Sequence, residues 1–117
     1  MAYKPFQTQA LYQAIEDLAA WLIPHVGRWP KWLRPTLGQS VLESILNILS
    51  GCTQAYGAAK QHKLAHLAKA SASLDAARML MKLSVTLQLS SHGQYAHVSR
   101  LIGEVGRQLG GWMARMR

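Results

Sequence analysis

No proline follows Pro35 in this 117-residue chain. Beyond it Ala, Leu, Met, Gln and Lys are plentiful, and apolar side chains return at steps of three and four. That composition and period favour long helices, and strand signals are weak. Prolines 5, 24, 30 and 35 all lie in the first third. Half of the residues are apolar. Such a chain buries that surface by packing helix on helix.

Leu11, Ile15, Leu18, Leu22 and Val26 mark one stripe, which predicts a first helix over about residues 8–27. Thr8 is the expected N-cap, and Pro24 is expected to kink or end the helix near its last turn. RWPKWLRP then reads as a stiff, basic connector. Thr36 and Gln39 fit a capping box opening a second helix over about 37–60, with Leu42, Ile45, Leu49, Cys52 and Tyr56 as its stripe. A third helix over about 63–89 carries Leu67, Ala70, Leu74, Ala77 and Met81, widened by Leu80, Leu83 and Leu87. SSHG breaks it, and Ser91 is the expected N-cap of a fourth helix over about 94–116. Four amphipathic helices with short connections predict a single all-α domain over 1–117, an antiparallel up-down four-helix bundle.

The last helix, RLIGEVGRQLGGWMARM, contains four glycines. Each costs about 1 kcal/mol relative to Ala in a helix interior. At about 100° per residue its side chains sort into three faces. Val98, Ile102, Val105, Leu109, Trp112 and Met116 form a core stripe. Arg100, Glu104, Arg107, Gly111 and Arg115 form a charged face opposite it. Ser99, Gly103, Gly106, Gly110 and Met113 form a third face beside the core. Gly103, Gly106 and Gly110, with Trp112 next to them, are the candidate close-packing seam. A seam without side chains admits another backbone or a large ring, which points to a second contact surface and an oligomer. The competing account is a helix buried on two sides within its own bundle. Gly111 lies outside the seam and has no role in it.

Thirteen Lys and Arg against five Asp and Glu give a formal charge of +8, an attraction for nucleic acid, acidic protein or anionic lipid. Three cationic groups are candidate contacts. Arg28, Lys31 and Arg34 alternate with Trp29 and Trp32, and basic groups beside aromatic rings suit phosphates and unpaired bases. Arg78 and Lys82 share a narrow arc of the third helix with Asp75. Arg100, Arg107 and Arg115 lie on the outward face of the fourth, partly neutralised by Glu104. The plainer account of each is a solvated face, with the Trp rings closing the end of the bundle.

Enzyme chemistry is not expected. There is no P-loop, and the five acids show no paired arrangement for acid–base work. Cys52, the single cysteine, sits on a core stripe and cannot form an intrachain disulfide. His62 and His66 have the i, i+4 spacing of a metal clamp, but no Cys, Asp or Glu nearby completes a site, so a surface pair is the expectation. His25, His92 and His97 are scattered. No cofactor and no metal are therefore expected. MAYKPFQTQ is polar and no run of 18 apolar residues occurs, so the expectation is a cytoplasmic protein without a signal peptide or membrane span. A membrane-surface role ranks low, because the core claims the apolar faces.

YAHVSRLIGEVGRQLGGWMARM resembles the C-terminal helix of the accessory variability determinant (Avd) family of diversity-generating retroelements. It is also similar to the wider set of four-helix proteins encoded in intervening sequences of 23S ribosomal RNA genes. Tyr95, Glu104, Gly106, Arg107, Leu109, Gly110, Gly111, Trp112 and Arg115 match that pattern in order. WPKWLRPTLG resembles the family's aromatic-Pro-Lys-x-x-Arg-x-x-Leu-Gly, and LDAARMLMKL resembles its stretch with two basic residues four apart. Trp32 and the His-rich QHKLAH lie outside the pattern. The resemblance implies a non-enzymatic protomer of a basic homopentameric barrel. It implies binding to the retroelement's reverse transcriptase and its template RNA, and to DNA as a further candidate, in support of mutagenic cDNA synthesis during retrohoming. Five subunits carry a charge on the order of +40, a strong attraction for RNA. The intervening-sequence branch implies instead a protein–protein module with no RNA role. The positive charge and the Arg-rich last helix favour the retroelement branch.

Overall fold

The structure, a computed structural model, describes residues 6–116. Four helices account for most of them: α1 (Phe6–Gly27), α2 (Gln39–Gly57), α3 (Lys60–Thr86) and α4 (His92–Arg115). No strand occurs among the described residues. Each helix packs on two neighbours, in the closed cycle α1–α2–α3–α4–α1. Neighbours run antiparallel. Tyr12 of α1 bonds Thr53 near the end of α2, while Val26 near the end of α1 meets Gly38 just before α2. Trp21 and His25 of α1 meet His97 and Ser90 at the start of α4.

The expected stripes of α1 and α4 line the core. Leu11, Leu18 and Leu22 are fully buried, as are Val98, Ile102 and Val105. Each fully buried Leu, Ile or Val contributes roughly 1.5–3 kcal/mol of transfer free energy. Cys52 lies among them, and burial pushes its thiol up to about 12. Trp112, expected beside the seam, belongs to this core.

The stripe of α2 is rotated from the expected one. Val41, Ile45, Ile48, Cys52 and Ala55 face inward, and Leu49 is exposed. The cause is the α2–α3 contact. A side chain on Gly51 would begin 3.1 Å from both the His66 carbonyl oxygen and the Ala70 Cβ. This close approach turns Ser44, Gly51 and Ala55 toward α3 and carries Leu46 and Leu49 out on the α1 side. On α3, Leu67, Ala70, Leu74, Ala77 and Met81 are buried as expected, and Leu80 packs on the core, but Leu83 and Leu87 are exposed.

Helix ends also differ from expectation. Thr8 lies inside α1, not ahead of it. Thr36 and Gln39 form no capping box. The chain reaches α2 already helical, through a 3₁₀ turn (Lys31–Leu33) and a π turn (Arg34–Gly38). The Gln39 N–H therefore finds carbonyls at Arg34 and Thr36, and the Thr36 hydroxyl donates back to the Leu33 carbonyl. Ser91 does cap α4, in a full box with Gln94. It starts that helix two residues earlier than expected.

α3 stops at Thr86, short of the expected 89, in a Schellman turn. The Gln88 N–H reaches the Val85 carbonyl and the Leu89 N–H reaches that of Ser84. Gln88 sits at φ 62°, the left-handed region normally left to Gly. The turn places the Ser90 hydroxyl 2.8 Å from Ser84 Oγ and 2.7 Å from His25 Nε2. This buried contact ties the end of α1 to the α3–α4 corner, with Trp21 stacked on the imidazole.

Two substitutions move stability in opposite directions. Gly51→Ala gains about 1 kcal/mol of helix propensity but overpacks against a backbone carbonyl, for a net loss of about 1 kcal/mol. Gln88→Gly relieves the left-handed residue and gains about 1 kcal/mol. Urea denaturation followed by circular dichroism checks both. A third expectation concerns pH. Burial, with repulsion from Arg28 added, holds His25 below the ordinary histidine value. The unfolded chain then binds a proton that the folded chain refuses. The stability from neutral His25 is complete above about pH 6.5 and is lost as pH falls toward and through the folded value. Tm falls between about pH 7 and 5 in the wild type, and His25→Gln flattens that slope.

Candidate nucleic-acid interface

The connector brings the first cationic group to one end of the bundle. Its two tryptophans part company. Trp29 is buried with its ring nearly perpendicular to that of His25, whereas Trp32 is 74% exposed. Only Trp32 is placed to stack on a base. Arg34 is held by the fold: its guanidinium donates to the Gly27 carbonyl at 2.7 Å and the Trp29 carbonyl at 3.3 Å, closing the end of α1. Cations there also favour the negative end of the helix dipole. Arg28 and Lys31 are exposed and make no ion pair among the described residues.

On α3, Arg78 pairs with Asp75 at 3.0 Å, leaving Lys82, one turn on, exposed and without an ion pair. On α4, Arg107 grips Glu104 through two hydrogen bonds of 3.1 and 2.7 Å. Those bonds, with a third from Gln108, hold the Glu104 carboxyl below its ordinary value. Glu104 therefore spends its charge on Arg107, and Arg100 stays free of ion pairs. Exposed pairs like these do little for stability, but each takes one cation out of the free charge of its face.

The helix register decides which cations share a region. Leu74 of α3 touches the position of Gly106, so each step up α3 matches a step back along α4. Lys82 thus lies level with the first turns of α4, the part that carries Arg100. The connector is at the same end: Leu33, Pro35 and Leu37 share a groove with Leu83 and Leu87. Lys31, Lys82 and Arg100 gather at one end of a molecule 44 Å long. Arg115 ends α4 at the other, its guanidinium 3.6 Å from where a Gly111 side chain would begin. That is ordinary contact with a flexible side chain, so nothing within the protomer requires glycine at 111.

The glycine seam is open. Added side chains at Gly103 and Gly110 would meet nothing within 4 Å, and one at Gly106 would meet only Leu74 Cδ2, at 3.4 Å. A helix buried on two sides within one bundle is therefore excluded for this seam. The seam runs along the α3–α4 side. Ile23, Leu46 and Leu49 are exposed on the α1–α2 side, opposite it.

Sequence reasoning passed over Lys63, which donates to the Ala55 and Tyr56 carbonyls at 2.7 and 3.0 Å and closes the end of α2. It also passed over Lys60 and Lys69. The signal was available, since no acid occurs from Lys60 to Leu74. Among the described residues no group of three His, Cys, Asp or Glu is gathered to hold a metal ion, and no helix is long and apolar enough to cross a membrane.

No curated protein matches the chain. A family model described as bAvd-like matches residues 10–116, which takes in nearly all of α1 and the whole of the other three helices. The chain belongs to the bAvd-like family of bacterial accessory variability determinants, an accessory, non-catalytic family.

Proposed function

We propose that this protein is a cytoplasmic, non-enzymatic accessory factor of a diversity-generating retroelement. It acts as a basic scaffold that binds template RNA, with DNA as a second substrate, and docks the reverse transcriptase during mutagenic cDNA synthesis. The observation that carries this reading is a surplus of exposed, unpaired cations on a member of an accessory family: Lys31, Lys82 and Arg100 stand at one end of the bundle and make no ion pair among the described residues. Phosphate contacts dominate such a surface, and Trp32 adds a ring for an unpaired base. Holding both partners on one body raises their effective concentration and fixes their geometry.

Assembly is part of the proposal. A side-chain-free seam on one side and exposed Ile23, Leu46 and Leu49 on the opposite side are complementary and lie on different surfaces. Contacts of that kind run head to tail and form a ring where the rotation between copies closes, in this proposal at five copies. The ring repeats each cationic end and concentrates the charge.

Fluorescence anisotropy with a labelled, structured RNA across a salt series tests the binding. The wild type is expected to bind at micromolar concentration or tighter, with an affinity that falls steeply with salt. Lys82→Glu combined with Arg100→Glu weakens it at least about tenfold with helicity unchanged. Absence of binding at low salt contradicts the RNA role. For the seam, Gly103→Leu and Gly110→Leu leave the protomer folded, since the space is open, and shift the elution volume on size exclusion to a smaller species. Unchanged elution places the contact elsewhere.

A further inference from the structure

The close approach at Gly51 leaves a groove along the outer face of α2 and α3. Its volume is about 350 Å³. Asn47, Ser50 and Gln54 line one wall, at helical steps of three and four; His66, Lys69 and Ser73 line the other. His62 extends the second wall by one turn, so that wall spans about 16 Å. No carboxylate lines the groove. Among the described residues Asn47, His66 and Lys69 have no side-chain hydrogen bond or ion pair, and Gln54 reaches only Ser50, at a weak 3.4 Å.

We propose that this groove is a binding site for single-stranded RNA, with a phosphate held by Lys69 and His66 and a base edge read by Asn47 and Gln54. The proposal rests on the RNA-binding reading above and adds a site to it. Its chemistry is that of a nucleotide. An ammonium beside an imidazole suits a phosphate, and an amide is the side chain that pairs with adenine through one donor and one acceptor. The hydroxyls of Ser50 and Ser73 are at hand for a ribose 2′-OH, the group that marks RNA. No aromatic ring lines the groove, so base recognition there works by hydrogen bonding, not stacking. The groove also differs from the cationic faces already described. Arg78 and Arg107 are spent on carboxylates, whereas Lys69 is not. It lies on the α2–α3 side, between the seam and the exposed apolar side chains, so it stays open when copies pack through those two faces.

The test uses the full chain and two labelled probes, oligoadenylate and oligouridylate RNA, in anisotropy titrations over a salt series. The wild type is expected to prefer oligoadenylate. Lys69→Gln weakens both probes alike and reduces the log–log salt slope by about 0.7 for the phosphate lost. Asn47→Ala removes the preference and leaves the slope unchanged. Both positions are exposed, and circular dichroism confirms that the variants keep their helicity. If both variants bind like the wild type while Lys82→Glu with Arg100→Glu does not, RNA binding stands and this groove is not its site. If the wild type binds neither RNA, the scaffold reading and this proposal fail together. Binding of polyglutamate in place of RNA, lost in Lys69→Gln, assigns the groove to an acidic protein and overturns the proposal.

Discussion

The approach of α2 to α3 at Gly51 is the contact on which the remaining geometry depends. Without a side chain there, the α2 helix comes within 3.1 Å of the His66 carbonyl, measured at the missing Cβ. Ala70 and Ala77 keep the facing surface of α3 low. Two consequences follow. Dispersion contacts along the pair are dense, and the loss of helix propensity at Gly51 is offset by packing. The core face of α2 is also set by this contact, which is why Ile48 is inside and Leu49 outside. The glycines of α4 are the opposite case. Gly103 and Gly110 carry the same propensity cost and receive no packing in return within the protomer. A protomer that is closed at Gly51 and open along α4 has a finished core and an unfinished surface.

Electrostatics sharpens that contrast. A charge of +8 on a small bundle is a repulsive burden unless an anion answers it. The fold uses some cations itself: Arg34 and Lys63 close helix ends, and Arg78 and Arg107 hold the nearby acids. What remains exposed and unpaired includes Lys31, Lys82 and Arg100 at one end and Lys69 in the α2–α3 groove. The fold thus leaves a smaller set of free cations out of a longer roll of basic residues in the chain, and these are the ones proposed to meet phosphates.

The architecture was legible because it rests on period. The α1, α3 and α4 stripes, the break at SSHG and the cap at Ser91 are local patterns with one physical solution. The stripe of α2 was not, since Ile45, Leu46, Ile48 and Leu49 are all apolar and only the partner helix chooses among them. Gln88 hid its turn because left-handed backbone is expected of Gly. Thr36 and Gln39 matched a cap at a place where the preceding turns already supply the carbonyls. In the candidate site, spacing pointed to the exposed cations and to the open face of α4. It did not distinguish Trp29 from Trp32 or reveal that Arg34 is structural. Those outcomes depend on which backbone carbonyls and rings the fold brings near, and the chain order does not contain them.

We propose that the open seam takes another copy of the chain, and that RNA meets the assembled, cation-lined body. The most direct measurement is the mass of the purified wild-type protein in solution, by light scattering coupled to size exclusion at near-physiological salt. The account predicts a single species with the mass of five chains, independent of concentration over the micromolar range. A stable single-chain species contradicts it: the glycines of α4 then serve no subunit contact, and the basic bundle meets its partners alone.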